Sequence, residues 1–379
     1  MDFKLSPEQT LLRESVRRLM DKDYPPATRR RIAAEGGFSR EVWRRFADMG
    51  WLGLALPEEY GGLGDIRDLA ILLEELGAGL VLEPVLACAV VAPRLLLASG
   101  DVARAQALIP SLVAGDTLLA MAHGEVAARG VPAWVATRAE PVAGGWRLTG
   151  NKSLVLGGAA ADHYIVSART GGAVDGEEGL TLFLVAADAP GLGRRVVPLT
   201  DDGWGADLTF DGLFLPDSAL VGRLGEGFPA IREALAWQLL GFCAEALGAM
   251  ERALWLTRDY VRTRKQFGVE IGSFQAVQHR MADMVVETEL SRSLVLRALA
   301  DFHRTPEIRD RTLSQAKVQV GKGGYFVGAQ SIQLHGGMGM ADECAIGHYF
   351  KRLLMLRNLG GSVALHLGRL GARGACEMQ

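Results

Sequence analysis

Gln333-Leu334-His335-Gly336-Gly337-Met338-Gly339 closes a long run of helical spacing that extends from Leu313 to Leu334. A nucleotide-binding glycine turn needs the opposite context, with a strand before it and a helix after it, so a Rossmann loop is excluded. Two readings remain for the glycines. They end a helix, or they let backbone approach a ligand where a Cβ would stand in the way. Upstream lies a second unusual stretch, Arg264-Lys265-Gln266-Phe267-Gly268, followed by Ile271, Phe274-Gln275 and Met281-Ala282-Asp283-Met284. Downstream come Glu343 and Lys351-Arg352.

Around these stretches the C-terminal part is helical. Phe274, Val277, Met281, Met284 and Val285 mark one face of a long helix, and Leu239–Leu256 reads as another. Residues 116–222 differ: β-prone runs such as Trp146–Thr149, Tyr164–Ser167 and Leu180–Val185 stand between glycine clusters. The Gly- and acid-rich stretch 171–179 reads as a mobile loop. The first 115 residues return to helices. Ser6-Pro7-Glu8-Gln9 starts one, with Leu11, Leu12, Val16 and Leu19 on one face. Another carries Trp43, Phe46 and Met49 inward, and a third runs from Leu69 to Leu76 and ends at Gly77. Val85–Ala98 is apolar apart from Pro93 and Arg94, too short to span a bilayer, and reads as a buried helix. The expected fold class is α+β: an N-terminal helical domain (1–115), a middle antiparallel β-domain (116–222) and a C-terminal four-helix bundle (223–379).

Composition narrows the function. The chain has 379 residues, 49% of them hydrophobic, which suffices for a large core. Its net charge of -3 gives no electrostatic case for nucleic acid or an anionic membrane. Cys88, Cys243, Cys344 and Cys376 form no paired motif, so neither zinc nor a disulfide framework is expected, and a reducing compartment fits. The N-terminal residues do not form a signal peptide, and the expected location is cytoplasmic. His123, His163, His279, His303, His335, His348 and His366 show no metal-ligand spacing, so no metal site is expected.

With the two C-terminal stretches in order, the chain resembles the acyl-CoA dehydrogenases. Trp51-Leu52-Gly53-Leu54-Ala55-Leu56-Pro57-Glu58-Glu59-Tyr60-Gly61-Gly62-Leu63-Gly64 and Leu73-Glu74-Glu75-Leu76-Gly77 extend the resemblance to the N-terminal part. It implies FAD as cofactor, an acyl-CoA substrate and electron-transfer flavoprotein as acceptor. It also implies roles for particular residues. Arg264 would hold phosphate oxygens, and Gln266 and Gln275 would satisfy other polar atoms. Phe267 and Phe274 would form an apolar wall, Gln333, Gly336, Gly337 and Gly339 would let backbone approach, and Ser362 would join the cofactor site. The resemblance further implies that the two stretches come from neighbouring subunits sharing one FAD, hence a homo- or hetero-oligomer (dimer or tetramer).

The resemblance also exposes what is missing. The α-proton needs a base within hydrogen-bond reach. At the place where the family carries its glutamate stands Gly360, followed by Gly361-Ser362, and the alternative place on an earlier helix falls near Gln238. Glu233, Glu245 and Glu343 read as structural or solvent-facing, and His366 is a weaker candidate still. Where the family has a Thr-Glu-Pro-Gly-type loop, this chain has Ala122-His123-Gly124-Glu125-Val126. Where it has a Trp-x-Thr triad, Lys152 is followed by Leu154 and Leu156. These losses resemble the smaller, base-lacking subunit of α2β2 enzymes of this family, whose partner is a Glu-bearing homologue. A homo-oligomeric enzyme with a relocated base and a non-catalytic acyl-binding scaffold are the alternatives.

Overall fold

In the computed structural model, residues 4–377 are described. Met1–Phe3 of the N-terminal stretch and the Cys376 side chain lie outside the described part. Helices come first, then a sheet, then a long helical bundle, which is the expected α+β order. The opening helices are α1 (Pro7–Asp23), α2 (Pro26–Ala34), α3 (Arg40–Asp48), α4 (Ile66–Ala78), α5 (Ala92–Ala98) and α6 (Val102–Val113). A π-helical segment, Val85–Val91, leads into α5. The strands are β1 (Leu119–Ala122), β2 (Arg138–Val142), β3 (Gly145–Leu156), β4 (His163–Arg169), β5 (Leu180–Ala186), β6 (Leu192–Pro198), β7 (Trp204–Pro216) and β8 (Leu220–Val221). The bundle holds α7 (Phe228–Thr263), α8 (Gln275–Asp301), α9 (Pro306–His335), α10 (Ala345–Asn358) and α11 (Val363–Glu377). A small hairpin, β9 (Lys265–Gln266) and β10 (Val269–Glu270), joins α7 to α8.

The chain packs as two units. One gathers the residues up to Arg31, Ile66–Val81 and the chain from Leu239 onward. In it, Ser6 and Gln9 form a capping box that starts α1. Val16, Leu19 and Met20 are buried, whereas Leu11 is 61% exposed and falls outside the expected apolar face. Arg17 on α1 holds Glu75 on α4 with two hydrogen bonds of 2.8 and 2.9 Å. The contact between α4 and α7 is backbone to backbone. A Cβ on Gly77 would lie 2.1 Å from the Glu245 carbonyl oxygen, and one on Gly248 would lie 1.7 Å from that of Glu74. Gly77 is therefore a packing point in the last turn of α4, which ends one residue later than expected, at Ala78. On α8, Met284, Thr288, Ser291 and Val295 are buried, but Val285 is 41% exposed and Phe274 stands just before the helix. The expected apolar face is thus only partly covered within this chain.

The other unit holds Ile32–Asp65 and Leu82–Gln238. Ser39 caps α3, which buries Trp43 and Phe46, while Met49 at its end is exposed. Every residue of Val85–Val91 is buried, as the apolar run required. Among the described residues the sheet runs β6-β7-β3-β2-β4-β5-β8, with β1 beside β4. Most pairs are antiparallel, as expected, but β1 and β2 both run parallel to β4, so the sheet is mixed. Tyr164, Ile165, Phe183 and Phe210 are among its buried side chains. Residues 171–179 do form a loop, yet not a free one. The Arg169 guanidinium donates to the carbonyls of Val174, Gly176 and Glu178, and to that of Ala133. One planar group with several donors fastens the segment from below.

Candidate active site

Gly360 lies in the turn between α10 and α11 at φ +72°, a backbone conformation that L side chains rarely adopt. A Cβ there would stand 3.1 Å from Leu239 Cδ1 and 3.2 Å from Phe242 Cδ2 on α7. The position that the resemblance assigns to the base is thus walled by two apolar side chains. The turn is held from behind. The Lys317 ammonium on α9, nearly fully buried, donates to the carbonyls of Leu356 and Leu359, the latter at 2.6 Å. It supplies donors to carbonyls that the end of α10 leaves unpaired. Sequence reasoning missed Lys317, although one lysine among small and apolar residues on a core helix was a visible signal.

His366, fully buried, is the second clamp. Its Nε2–H donates to the Gly360 carbonyl at 3.0 Å, and its Nδ1 accepts from Ser314 Oγ at 3.1 Å. Both ring nitrogens are engaged, so His366 holds the turn and is not free to act as a base. Burial pushes its pKa down to about 4, against the upward pull of the Gly360 carbonyl. Below the unfolded value near 6.5, the unfolded chain takes up a proton that the folded chain refuses. His366 therefore makes stability fall as pH drops from about 6.5 towards 4, by about 1.4 kcal/mol per pH unit. His366→Gln is expected to flatten urea-unfolding free energies across that window. An unchanged slope would show that His366 is not neutral in the folded chain.

The carboxylates are engaged elsewhere. Glu245 is buried and accepts from Arg352 Nε at 2.8 Å. Glu233 accepts from the Trp237 indole N–H at 3.0 Å, one turn along α7. Glu343 is exposed and lines a cavity of about 480 Å³ together with Arg30, Arg252, Trp255 and Tyr349. Gln238 is half-buried on α7. Among the described residues no cluster of His, Cys, Asp and Glu could hold a metal ion.

The stretch replacing the Thr-Glu-Pro-Gly-type loop is sealed into the sheet. Lys152 on β3 has a fully buried ammonium, 2.7 Å from Glu125 Oε1. It also donates to the His123 carbonyl and to Ser167 Oγ, each at 3.1 Å. Glu125 further accepts from the Thr137 hydroxyl at 2.7 Å and from the backbone N–H groups of Ala136 and Thr137. Burial raises the Glu125 pKa, but the Lys152 charge and these donors outweigh it and hold the carboxyl below its usual range. Burial pushes Lys152 down to about 8, with Glu125 opposing. His123 Nδ1 meets Ser167 Oγ at 2.9 Å, and burial drives its pKa to about 3. Beyond Lys152, β3 bulges against β7 and Leu154 adopts φ +51°. Its N–H is taken by Asp207 at 3.0 Å. Neither Leu154 nor Leu156 offers a hydroxyl.

The two motif stretches lie at one end of the bundle. The Tyr260 ring stacks on His335 with centroids 4.2 Å apart, and its hydroxyl donates to the His335 carbonyl. This pair joins the end of α7 to the end of α9, so one chain presents both stretches side by side. Phe267 and Gly268 form the two-residue turn of the β9–β10 hairpin, at φ +53° and +82°. Phe267 is 95% exposed and meets Phe274 edge-on at 6.4 Å. An aromatic ring in a left-handed turn, facing water, carries strain that its own fold does not repay. Arg264 is exposed, as are Gln275 and Gln333, and Gln266 donates to the Lys265 carbonyl. No atom lies within 4 Å of a Cβ built on Gly336 or Gly337, whereas Gly339 is packed against His335. Ser362 Oγ accepts from the Leu365 N–H, so it caps α11. An exposed guanidinium, an exposed aromatic pair and open glycine backbone fit a cofactor that carries phosphates and rings.

Comparison with known proteins gives the class. Models of the acyl-CoA dehydrogenase N-terminal, middle and C-terminal domains match residues 6–116, 120–210 and 225–375. Acyl-CoA dehydrogenase FadE27 of Mycobacterium tuberculosis is 30% identical, over 98% of each chain. A variant of the Tcur3481-Tcur3483 steroid ACAD is 31% identical, with a TM-score of 0.86 over 97% of this chain and 99% of that one. The ChsE4-ChsE5 complex from Mycobacterium tuberculosis is 29% identical, with a TM-score of 0.86 over 99% of both chains. The chain belongs to the acyl-CoA dehydrogenase family, whose fold is that of FAD-binding oxidoreductases acting on CH–CH bonds. No helix among the described residues is long and apolar enough to cross a membrane.

Proposed function

We propose that this chain is one subunit of a heteromeric FAD-dependent acyl-CoA dehydrogenase, contributing part of the FAD site and no base. The apolar wall around Gly360 carries this reading: Leu239 and Phe242 occupy the space beside the only atom from which a side chain could grow. The other candidates support it, since Glu245, Glu233 and His366 are each tied to structural partners. So does similarity to a solved complex of two differently named chains. Within such an enzyme the three domains would be 1–115, 116–222 and 223–379, and electron-transfer flavoprotein would be the acceptor. FAD, when bound, supplies the acceptor for hydride from the acyl β-carbon. Arg264 would hold its phosphates, Phe267 and Phe274 would cover a ring, and the exposed backbone at Gly336-Gly337 would admit it closely. The base would come from a Glu-bearing homologue, in an α2β2 assembly.

Arg264→Ala tests the cofactor assignment. In the complex with that homologue, released flavin should fall several-fold, because a bidentate phosphate contact is lost. Flavin content equal to that of the unmodified complex would remove Arg264 from the site.

A further inference from the structure

The cavity of about 480 Å³ beside Glu343 is built within one packing unit, between the α1–α2 connection, the end of α4, the middle of α7 and the start of α10. No residue of the two motif stretches or of the Gly360 turn lines it. Its wall is rich in charged side chains, which suits a polar ligand and not a hydrocarbon tail. Several of these charges are already matched. Arg17 holds Glu75 at 2.8 Å, Glu74 lies 3.4 Å from Arg13, and Glu251 lies 2.9 Å from Arg292. Arg29, buried, donates to the Leu80 carbonyl at 3.0 Å. Arg30, Arg252, Asp21 and Glu343 differ. All four are exposed, and none enters an ion pair among the described residues. Arg252 meets only the Tyr349 hydroxyl, a neutral group that itself donates to the Ala78 carbonyl.

These four groups and the ring beside them select the ligand. Two guanidiniums without a carboxylate partner suit a phosphate, whose oxygens match their paired donors. Two carboxylates without a cation suit hydroxyl donors on the same ligand. Arg252 and Trp255 stand three residues apart on α7, so they are neighbours on one helix face. The Trp255 indole lines the cavity and is 40% exposed, with Arg258 stacked over it at 4.6 Å. An exposed indole offers a planar base a surface for stacking. The volume falls within the range of small-molecule sites and exceeds what a lone phosphate fills. We propose that this cavity binds a nucleoside monophosphate, with its phosphate on Arg30 and Arg252, its base against Trp255 and its sugar hydroxyls on Asp21 and Glu343. Such a site is separate from the FAD site and is independent of whether the chain works with a partner subunit.

The test is binding of AMP, adenosine and inorganic phosphate to the full chain, measured by calorimetry. AMP should bind, and adenosine should bind about tenfold more weakly, since it lacks the charge-assisted contacts. Inorganic phosphate should also bind more weakly than AMP, because it has no ring to stack. Arg30→Gln and Arg252→Gln should each weaken AMP about tenfold. Arg252→Lys should keep part of the affinity and serves as a folding control. Trp255→Ala should weaken AMP and leave phosphate unchanged, a split that a general loss of structure would not produce. AMP is also a part of FAD, so Arg264→Ala is the control for the cofactor site and should leave AMP binding intact. No AMP binding by the unmodified chain overturns the proposal, as does binding that Arg264→Ala removes and Arg252→Gln spares. Equal affinity for AMP and adenosine, or for AMP and phosphate, overturns it as well.

Discussion

Gly360→Glu is expected to gain no acyl-CoA oxidation and to lose stability. The substitution places a glutamate at the position that the resemblance assigns to the base, so a purely positional view would expect activity. The local physics argues otherwise. The backbone there is at φ +72°, which any residue with a Cβ adopts only at a cost of about 1 kcal/mol. The new Cβ would press on Leu239 and Phe242 at 3.1 and 3.2 Å, so these side chains must shift, at about 1–3 kcal/mol. A carboxyl against those groups is also poorly solvated, which favours its neutral form and weakens it as a base at neutral pH. Lys317 and His366 hold the turn, so it cannot swing to relieve the contact. Urea unfolding should show a loss of about 2–4 kcal/mol. Turnover by the variant with a free flavin site would mean that the wall yields and that the pocket is intact.

Glu125→Gln should have the largest effect on stability. It leaves the Lys152 ammonium, fully buried, with neutral acceptors alone: the new amide oxygen, His123 O and Ser167 Oγ. Removing one member of a buried ion pair costs about 3–5 kcal/mol. The sign of its pH dependence follows. Burial already holds Lys152 at about 8, and losing the carboxylate lowers it further. The unfolded chain then binds more protons than the folded one above that value, so stability rises with pH through that window. The variant should recover part of its loss on moving from neutral to mildly alkaline solution, and adding Lys152→Met should recover more. A loss below about 1 kcal/mol, or no coupling between the two substitutions, would show the network to be well hydrated.

Much of the fold could be read from periodicity. The capping box at Ser6, the apolar helix around Trp43 and Phe46, and the strand runs at Tyr164–Ser167 and Leu180–Val185 each followed from local pattern. What escaped depends on residues distant in sequence. Nothing near Gly77 announces that the Glu245 carbonyl lies against it, so a glycine read only as a helix end is also a helix crossing. Parallel pairing of β1 and β2 with β4 is set by the order of strands in the sheet, which alternation does not encode. The loop at 171–179 looked free because its anchor, Arg169, lies on the preceding strand and its bonds run to backbone carbonyls. At the site, the glycine at position 360 was legible because it is a matter of residue type. Lys317 gained meaning from burial and from its carbonyl partners.

The most direct test of the central claim is flavin released from this chain after purification alone and after co-purification with a Glu-bearing homologue. Alone, the chain should carry far less than one FAD per protomer and show no bleaching with acyl-CoA. With the homologue, it should form a yellow complex that acyl-CoA bleaches. Stoichiometric FAD in a homo-oligomer that acyl-CoA bleaches would contradict the account, because the chain would then hold its cofactor and a base without a partner.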